Sequence, residues 1–254
     1  MTGSRIGTFA NRLAQGEPIV GTFVKTPSPI VCEVLALTEL EVCCLDAEHA
    51  PFGRLETDQC ISQLRLADMP SLVRVANDSS TEIRNALDAG ATGILVPHVT
   101  CADQAERIVQ AANFGEGGRG YAGSTRAAEF TTKAMPDHLR DSGVQTTVVL
   151  QIEDLAALPN VADIAAVEGV HALFVGRVDL AVAMGKGVND DEVVDAVIEI
   201  CKAAREAGRA VGMFTPNINE LPQWRERGAN FFLLGSDQSF ILQGAAGLIN
   251  ASRH

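Results

Sequence analysis

A handful of side chains in this sequence could do chemistry together. Gln151-Ile152-Glu153 ends one short β-branched run, and Gly176-Arg177-Val178-Asp179 follows the next. Alternation along a strand puts Gln151 and Glu153 on one face. Glu153 and Asp179 thus stand just past the ends of two successive runs. Two hard oxygen ligands, with room for water and a substrate, suit Mg²⁺, Mn²⁺ or Co²⁺. The same pair could be two capping carboxylates, with Asp179 opening a helix from Leu180. Spacing alone does not separate these readings.

His49, in Asp46-Ala47-Glu48-His49, follows another run, where an imidazole can act as a base near neutral pH. A solvated loop histidine has the same signature. Arg74 lies inside Leu72-Val73-Arg74-Val75, and an arginine in an apolar strand is costly unless it meets an anion. That anion could be a substrate or a nearby structural carboxylate. Lys25 ends the first run and raises the Schiff-base route to aldol chemistry. The other lysines, Lys133, Lys186 and Lys202, fall in loops or helices, which weakens that route.

Other signals carry less. Gly118-Arg119-Gly120-Tyr121-Ala122-Gly123 matches GxGxxG but follows no clear strand, which argues against a dinucleotide site. Asn77-Asp78-Ser79 matches a glycosylation acceptor, which has meaning only in a secreted protein. His98 follows Pro97 at the end of a run and could line a site, though it is read here as a satisfied or solvated histidine. His138 and His171 read as structural.

The elements that must position these residues are legible. Eight runs are expected as strands: Ile19–Val24, Glu41–Asp46, Ser71–Val75, Gly93–Pro97, Thr147–Ile152, Ala172–Gly176, Ala210–Phe214 and Phe231–Gly235. Val42-Cys43-Cys44-Leu45 and Leu173-Phe174-Val175 are continuously apolar, as strands buried on both faces are. Helix-period stretches lie between them: Ile30–Leu37, Asp58–Asp68, Thr81–Ala89, Cys101–Ala112, Leu155–Val167, Glu192–Ala207 and Glu220–Arg227. Gly90 and Gly208 mark helix ends. Eight strands alternating with helices in 254 residues point to a single α/β domain over residues 1–254, a closed (β/α)8 TIM barrel. A Rossmann sheet would need a glycine fingerprint after the first strand, and none is there. Residues 5–15 put Ile6, Phe9 and Leu13 on one face, as a lid on the barrel floor would. Residues 113–145 form a long connection of the kind that is functional or disordered. The tail Phe240–Ile249 is apolar enough to pack on a neighbouring subunit.

Hydrophobic residues make up 46% of the chain and the net charge is −12. An acidic surface repels phosphate backbones and anionic lipid, so no nucleic acid and no membrane partner is expected. No run of 18 apolar residues exists, and the segment from Met1 to Ile6 lacks the apolar core of a secretory signal. The six cysteines show no CxxC and no paired spacing, as expected of buried, reduced thiols in a cytoplasmic protein.

Taken in order, Asp46-Ala47-Glu48-His49-Ala50-Pro51, Val73-Arg74-Val75, Gly93-Ile94-Leu95-Val96-Pro97, Arg119-Gly120, Gln151-Ile152-Glu153 and Gly176-Arg177-Val178-Asp179-Leu180 resemble the motifs of the HpcH/HpaI aldolase family. The resemblance runs from about Ile19 to Gly235. It implies a (β/α)8 barrel that cleaves or forms 4-hydroxy-2-oxo acids, giving pyruvate and an aldehyde, with a divalent metal. It implies Glu153 and Asp179 as metal ligands, Arg74 on the pyruvyl oxygens, His49 as acid/base and Asp88 as its acidic partner. Gln151 would line the pyruvate pocket, and backbone amides near Val178 and Asp179 would hold the pyruvate carboxylate. Family members are typically homo-hexamers that exchange C-terminal helices. Arg177 departs from the family pattern, which has proline there, and residues 121–126 also differ. Both bear on the second substrate. Two other readings stand beside this one: an acyl-CoA lyase like the citrate lyase β-subunit, which wants a basic surface, and a non-catalytic barrel that binds a 2-oxo acid.

Overall fold

The computed structural model describes residues 4–253. Met1–Gly3, where part of the leader expectation falls, lie outside them. Eight parallel strands close into a barrel in chain order. They are β1 (Ile19–Val24), β2 (Val42–Asp46), β3 (Ser71–Arg74), β4 (Gly93–Val96), β5 (Thr147–Ile152), β6 (Ala172–Val175), β7 (Ala210–Thr215) and β8 (Phe231–Ser236). The ring closes between β1 and β8, where Ile19 pairs with Phe231. The helices are α1 (Arg5–Ala14), α2 (Pro29–Ala36), α3 (Arg54–Leu66), α4 (Ser80–Asp88), α5 (Ala102–Ala112), α6 (Met135–Gln145), α7 (Val161–Ala166), α8 (Arg177–Met184), α9 (Asp191–Glu206), α10 (Leu221–Glu226) and α11 (Asp237–Ala251).

Strand alternation sorts the core into two layers. Ile19, Phe23, Cys44, Leu72, Leu95, Val149, Phe174 and Phe231 face inward, and Phe9 and Leu13 of α1 fill the floor beneath them. Their neighbours Val24, Leu45, Val73, Ile94, Val148 and Leu150 face outward and pack under the helices. Gly212 makes the inner layer possible. A Cβ there would sit 2.6 Å from the Phe174 ring and 2.7 Å from the Phe231 ring. One step further along the inward-facing rows come Lys25, Asp46, Arg74, Gln151 and Gly176. The apolar filling thus gives way to a polar top layer at the C-terminal ends of the strands, where barrels of this kind carry their chemistry.

Several expectations need correction. α8 starts at Arg177 rather than Leu180, and its N-cap is Gly176 with no side-chain cap bond. Asp179 therefore lies in the first turn and caps nothing. The stretch 155–167 is a 3₁₀ turn followed by α7, because Pro159 has no N–H to continue a single α-helix. The long connection 113–145 holds a helix of its own, α6. Cys101 is half-exposed, while the other five free cysteines are buried as expected. No helix among the described residues is long and apolar enough to cross a membrane. α11 begins with a reciprocal Ser236–Ser239 cap and carries exposed Ile241, Leu242, Leu248 and Ile249.

Candidate active site

At the centre of the polar layer is Asp46, fully buried. Arg74 donates to it twice, Nε to Oδ1 at 3.0 Å and Nη2 to Oδ2 at 2.8 Å. Register places Asp46 directly beside Arg74 across β2 and β3, which makes the two-pronged contact available. Lys25 Nζ lies 3.2 Å from Asp46 Oδ2, and the His49 backbone N–H donates to Oδ1 at 3.1 Å. Burial opposes the charge on Asp46, but the hydrogen bonds and charge of Arg74 outweigh it and hold the carboxyl below the usual range. The structural ion pair weighed for Arg74 thus exists. Arg74 nevertheless lines the cleft, with its guanidinium 4.6 Å from the centre of the Phe23 ring.

An acidic cluster adjoins this cationic one. Glu48, His98 and Glu153 each offer a donor atom, all within 4.8 Å of one another. His98 Nε2 is 3.4 Å from Glu48 Oε1, and its Nδ1 is 3.4 Å from Glu153 Oε1 and 3.0 Å from Asp154 Oδ2. The His98 backbone N–H also donates to Glu153 Oε1 at 3.0 Å, and Gln151 Nε2 donates to Glu153 Oε2. Gly176 lets β6 approach this carboxylate, since a Cβ there would come within 2.8 Å of Glu153 Oε2. Burial pushes the Glu153 carboxyl up; His98 and Gln151 pull it down, and the charge of Asp179 pushes it up again. Burial likewise opposes charge on His98, but the hydrogen bond to Asp154 and the charge of Glu153 raise its imidazole above its ordinary value. Gln151 Oε1 is buried without a hydrogen-bond partner, and Glu48 Oε2, which also has none, lies 3.4 Å from Arg74 Nε. Crowded carboxylates beside an imidazole are what a divalent cation would satisfy, so the residues present fit one.

A cleft of about 250 Å³ opens above Arg74 and Gln151. Its lining includes Lys25, His49, Arg74, Gln151, Arg177 and Asp179, with Phe23, Phe174 and Phe214 as apolar wall. Val178 and Asp179 lie in the first turn of α8, whose free backbone N–H groups favour an anion. His49 is more than half exposed at the rim, and its Nε2 is 3.7 Å from Glu48 Oε2.

A profile of HpcH/HpaI aldolase/citrate lyase matches residues 20–243. The chain belongs to the HpcH/HpaI aldolase/citrate lyase family. It is 31% identical over 252 residues to a hydroxypyruvate/pyruvate aldolase of Paraburkholderia phytofirmans, covering 94% of this chain and 96% of that one. It is 32% identical to a 4-hydroxy-2-oxovalerate aldolase of Rhodococcus jostii, covering 96% and 95%. A crystal structure of an HpcH/HpaI aldolase/citrate lyase family protein from Burkholderia cenocepacia superposes with a TM-score of 0.92 at 30% identity, covering 98% and 100%.

Within this family frame, the chain brings His49, Arg74, Gln151, Val178 and Asp179 to one cleft, with Glu153 beneath it. It does not bring Asp88 there. α4 runs back along the barrel, so its last residue, Asp88, lies near the N-terminal ends of the strands, opposite His49. Asp88 Oδ1 instead lies 3.5 Å from Nε of buried Arg119, and burial pushes its carboxyl up against that cation. Ser124, Thr125 and Arg126 line a separate surface hollow with Asp88, away from the catalytic cleft. Two members of the acidic cluster, His98 and Glu48, are not marked as site residues by the sequence. His98 reads there as a satisfied or solvated histidine, and Glu48 carries no role. The signal for both was their place directly after β2 and β4.

Proposed function

We propose that this chain is a metal-dependent (class II) pyruvate aldolase that cleaves 4-hydroxy-2-oxo acids to pyruvate and an aldehyde, or joins the two. The observation that carries the reading is the fixed guanidinium of Arg74, which lines the cleft and lies 3.4 Å from Glu48 of the acidic cluster around Glu153. The activities of the relatives agree with it.

Glu153 would hold the metal, with Asp179 on the α8 side and Glu48 and His98 on the other. Oxygen donors admit Mg²⁺, Mn²⁺ or Co²⁺, and an imidazole neighbour favours the last two. When bound, the cation supplies positive charge opposite the oxygen on which enolate charge develops. Arg74 adds fixed positive charge at the same place, already oriented by Asp46, so little reorganisation is needed. Gln151 and the backbone N–H groups at Val178 and Asp179 orient the pyruvyl unit. His49 at the rim takes the 4-hydroxyl proton during cleavage and returns it during synthesis. The phenylalanine wall keeps water from the carbanionic carbon.

Asp88 and His49 lie at opposite ends of one barrel, so their expected pairing requires a second copy of the chain. That fits the homo-hexamer and exchanged α11 implied by the family resemblance, and the apolar side chains exposed on α11 support it. Native mass in solution checks it. Free cysteines without a paired framework agree with a reducing, cytoplasmic setting.

The test is pyruvate release from a series of 4-hydroxy-2-oxo acids, with and without a chelator. Release should stop on metal removal and return when Mn²⁺ or Co²⁺ is added. Full activity after complete metal removal would overturn the metal-dependent reading.

A further inference from the structure

A small cavity lies at the end of the barrel opposite the cleft. Thr92 and Thr146, which directly precede β4 and β5, line it together with residues of α1, α3 and α6. Its volume is about 60 Å³, and it shares no residue with the cleft. In a chain of net charge −12, its wall holds Arg65, Arg119, Lys133 and His138 and no carboxylate among the described residues. Arg119 is 6% exposed and His138 4%. Arg119 Nε and His138 Nε2 are both buried without a hydrogen-bond partner. Asp88 Oδ1 stands 3.5 Å from Arg119 Nε, too long for a good N–H···O bond. Arg65 Nη1 donates to the Gly90 carbonyl at 3.1 Å, and no carboxylate pairs with Arg65 among the described residues. Lys133 is satisfied by Asp141 at 2.9 Å. A buried donor without an acceptor is costly and marks a place where a ligand completes the set.

The donors are held in place by packing. The His138 ring lies against Phe114 and Tyr121, with centroids 5.3 and 5.9 Å away, and the Arg119 guanidinium carbon sits 4.1 Å over the Phe114 ring. Burial outweighs the charge of Glu129 at Arg65 and of Asp88 at Arg119, so both guanidinium groups lie below their ordinary value. Burial, with the charges of Arg119 and Lys133, does the same to His138. What all three lack is negative charge. Size narrows its form. Room for one water takes roughly 10–15 Å³, so the cavity is several waters large. It is also far smaller than the roughly 300–1,000 Å³ that organic ligands occupy. A tetrahedral inorganic anion matches both limits, and its several oxygens can accept from Arg65, Arg119 and His138 together.

We propose that this cavity is a binding site for one small inorganic oxyanion, phosphate or sulfate, held by Arg65, Arg119 and His138. The bound anion ties α3 and α6 to the connection after α5, so it stabilises the folded chain as its concentration rises. The inference stands apart from the aldolase reading.

Calorimetric titration with inorganic phosphate, sulfate and chloride, at constant ionic strength, tests it. Phosphate or sulfate should bind once per chain with a Kd of about 1 mM or lower. Arg65→Met and His138→Phe should each weaken that binding by at least about 10-fold. His138→Phe keeps a ring against Phe114 and Tyr121, so its loss of affinity reads the missing donor rather than a disturbed fold. Arg74→Met alters only the cleft and should bind as the unmodified protein does. The urea midpoint of the unmodified protein should rise with added phosphate, and that of the two cavity variants should not. No oxyanion binding up to about 10 mM overturns the proposal. So does an affinity unchanged in both cavity variants, or one lost in Arg74→Met, which would put the anion in the cleft. Chloride binding as tightly as phosphate and sulfate would overturn the oxyanion assignment.

Discussion

Replacing Arg74 by methionine separates its two roles, because the structure lets each be sized. Arg74 gives Asp46 two hydrogen bonds, and its removal leaves Asp46 with Lys25 at 3.2 Å and the His49 N–H at 3.1 Å. A buried charge stripped of every partner costs roughly 3–5 kcal/mol. With two partners remaining, the expected loss is about 1–3 kcal/mol, read as a lower urea midpoint at unchanged slope. The chemical loss is separate. One fixed donor aimed at developing charge accounts for about 10²–10³ in kcat. The variant Arg74→Met/Asp46→Asn removes the stranded charge as well. Its stability should return to within about 1 kcal/mol of the unmodified protein while pyruvate release stays low. Pyruvate release and urea unfolding are measured on all three proteins. If the double variant recovers its rate together with its stability, Arg74 acts only as a partner for Asp46 and the reasoning is wrong. A single variant within threefold of the unmodified rate would refute it equally.

Glu153→Gln keeps the shape of the side chain but removes its charge from the acidic cluster, so Mn²⁺ affinity should fall by at least about 10-fold in an electron paramagnetic resonance titration. Buried His138 and half-buried His171 predict an acid-side loss of stability. Burial pushes His171 below its ordinary value, and burial with the charges of Arg119 and Lys133 does the same to His138. Both are held neutral in the fold, so their contribution is complete above the unfolded value near 6.5 and is lost as pH falls through the lower folded value. Urea midpoints between pH 8 and 5 should fall less steeply in His171→Gln than in the unmodified protein; an identical slope would count against the assignment. Gly212→Val places a branched side chain against the Phe174 and Phe231 rings and should cost about 2–3 kcal/mol in the same assay, with no loss if the inner layer can yield.

The barrel was legible because its signal is local and repeated. All eight strands fall where β-branched runs do, and the boundaries move by a residue or so at their ends. Arg74 and Gln151 were readable as inward-facing from alternation with Leu72 and Val149. The start of α8 was misplaced because Gly176 carries no capping side chain, so nothing in the sequence marked the first turn. α6 was hidden because its helix carries little apolar periodicity, with His138 its one buried residue. His98 is illegible for a different reason. A lone histidine after a proline says nothing about its partners, and Glu48 and Glu153, which give it meaning, come from other strands. Asp88 shows the reverse case. Its motif placed it with His49, whereas the topology of one chain puts the two at opposite ends.

The central claim is that the cleft makes and stabilises the enolate of pyruvate with a metal at Glu153. Exchange of the pyruvate methyl protons in deuterated water, followed by proton NMR with no acceptor present, reports that step alone. The account predicts exchange with Mn²⁺ or Co²⁺, none after chelation, and none in Glu153→Gln. Exchange that persists in the metal-free protein, or at an undiminished rate in Glu153→Gln, would contradict it.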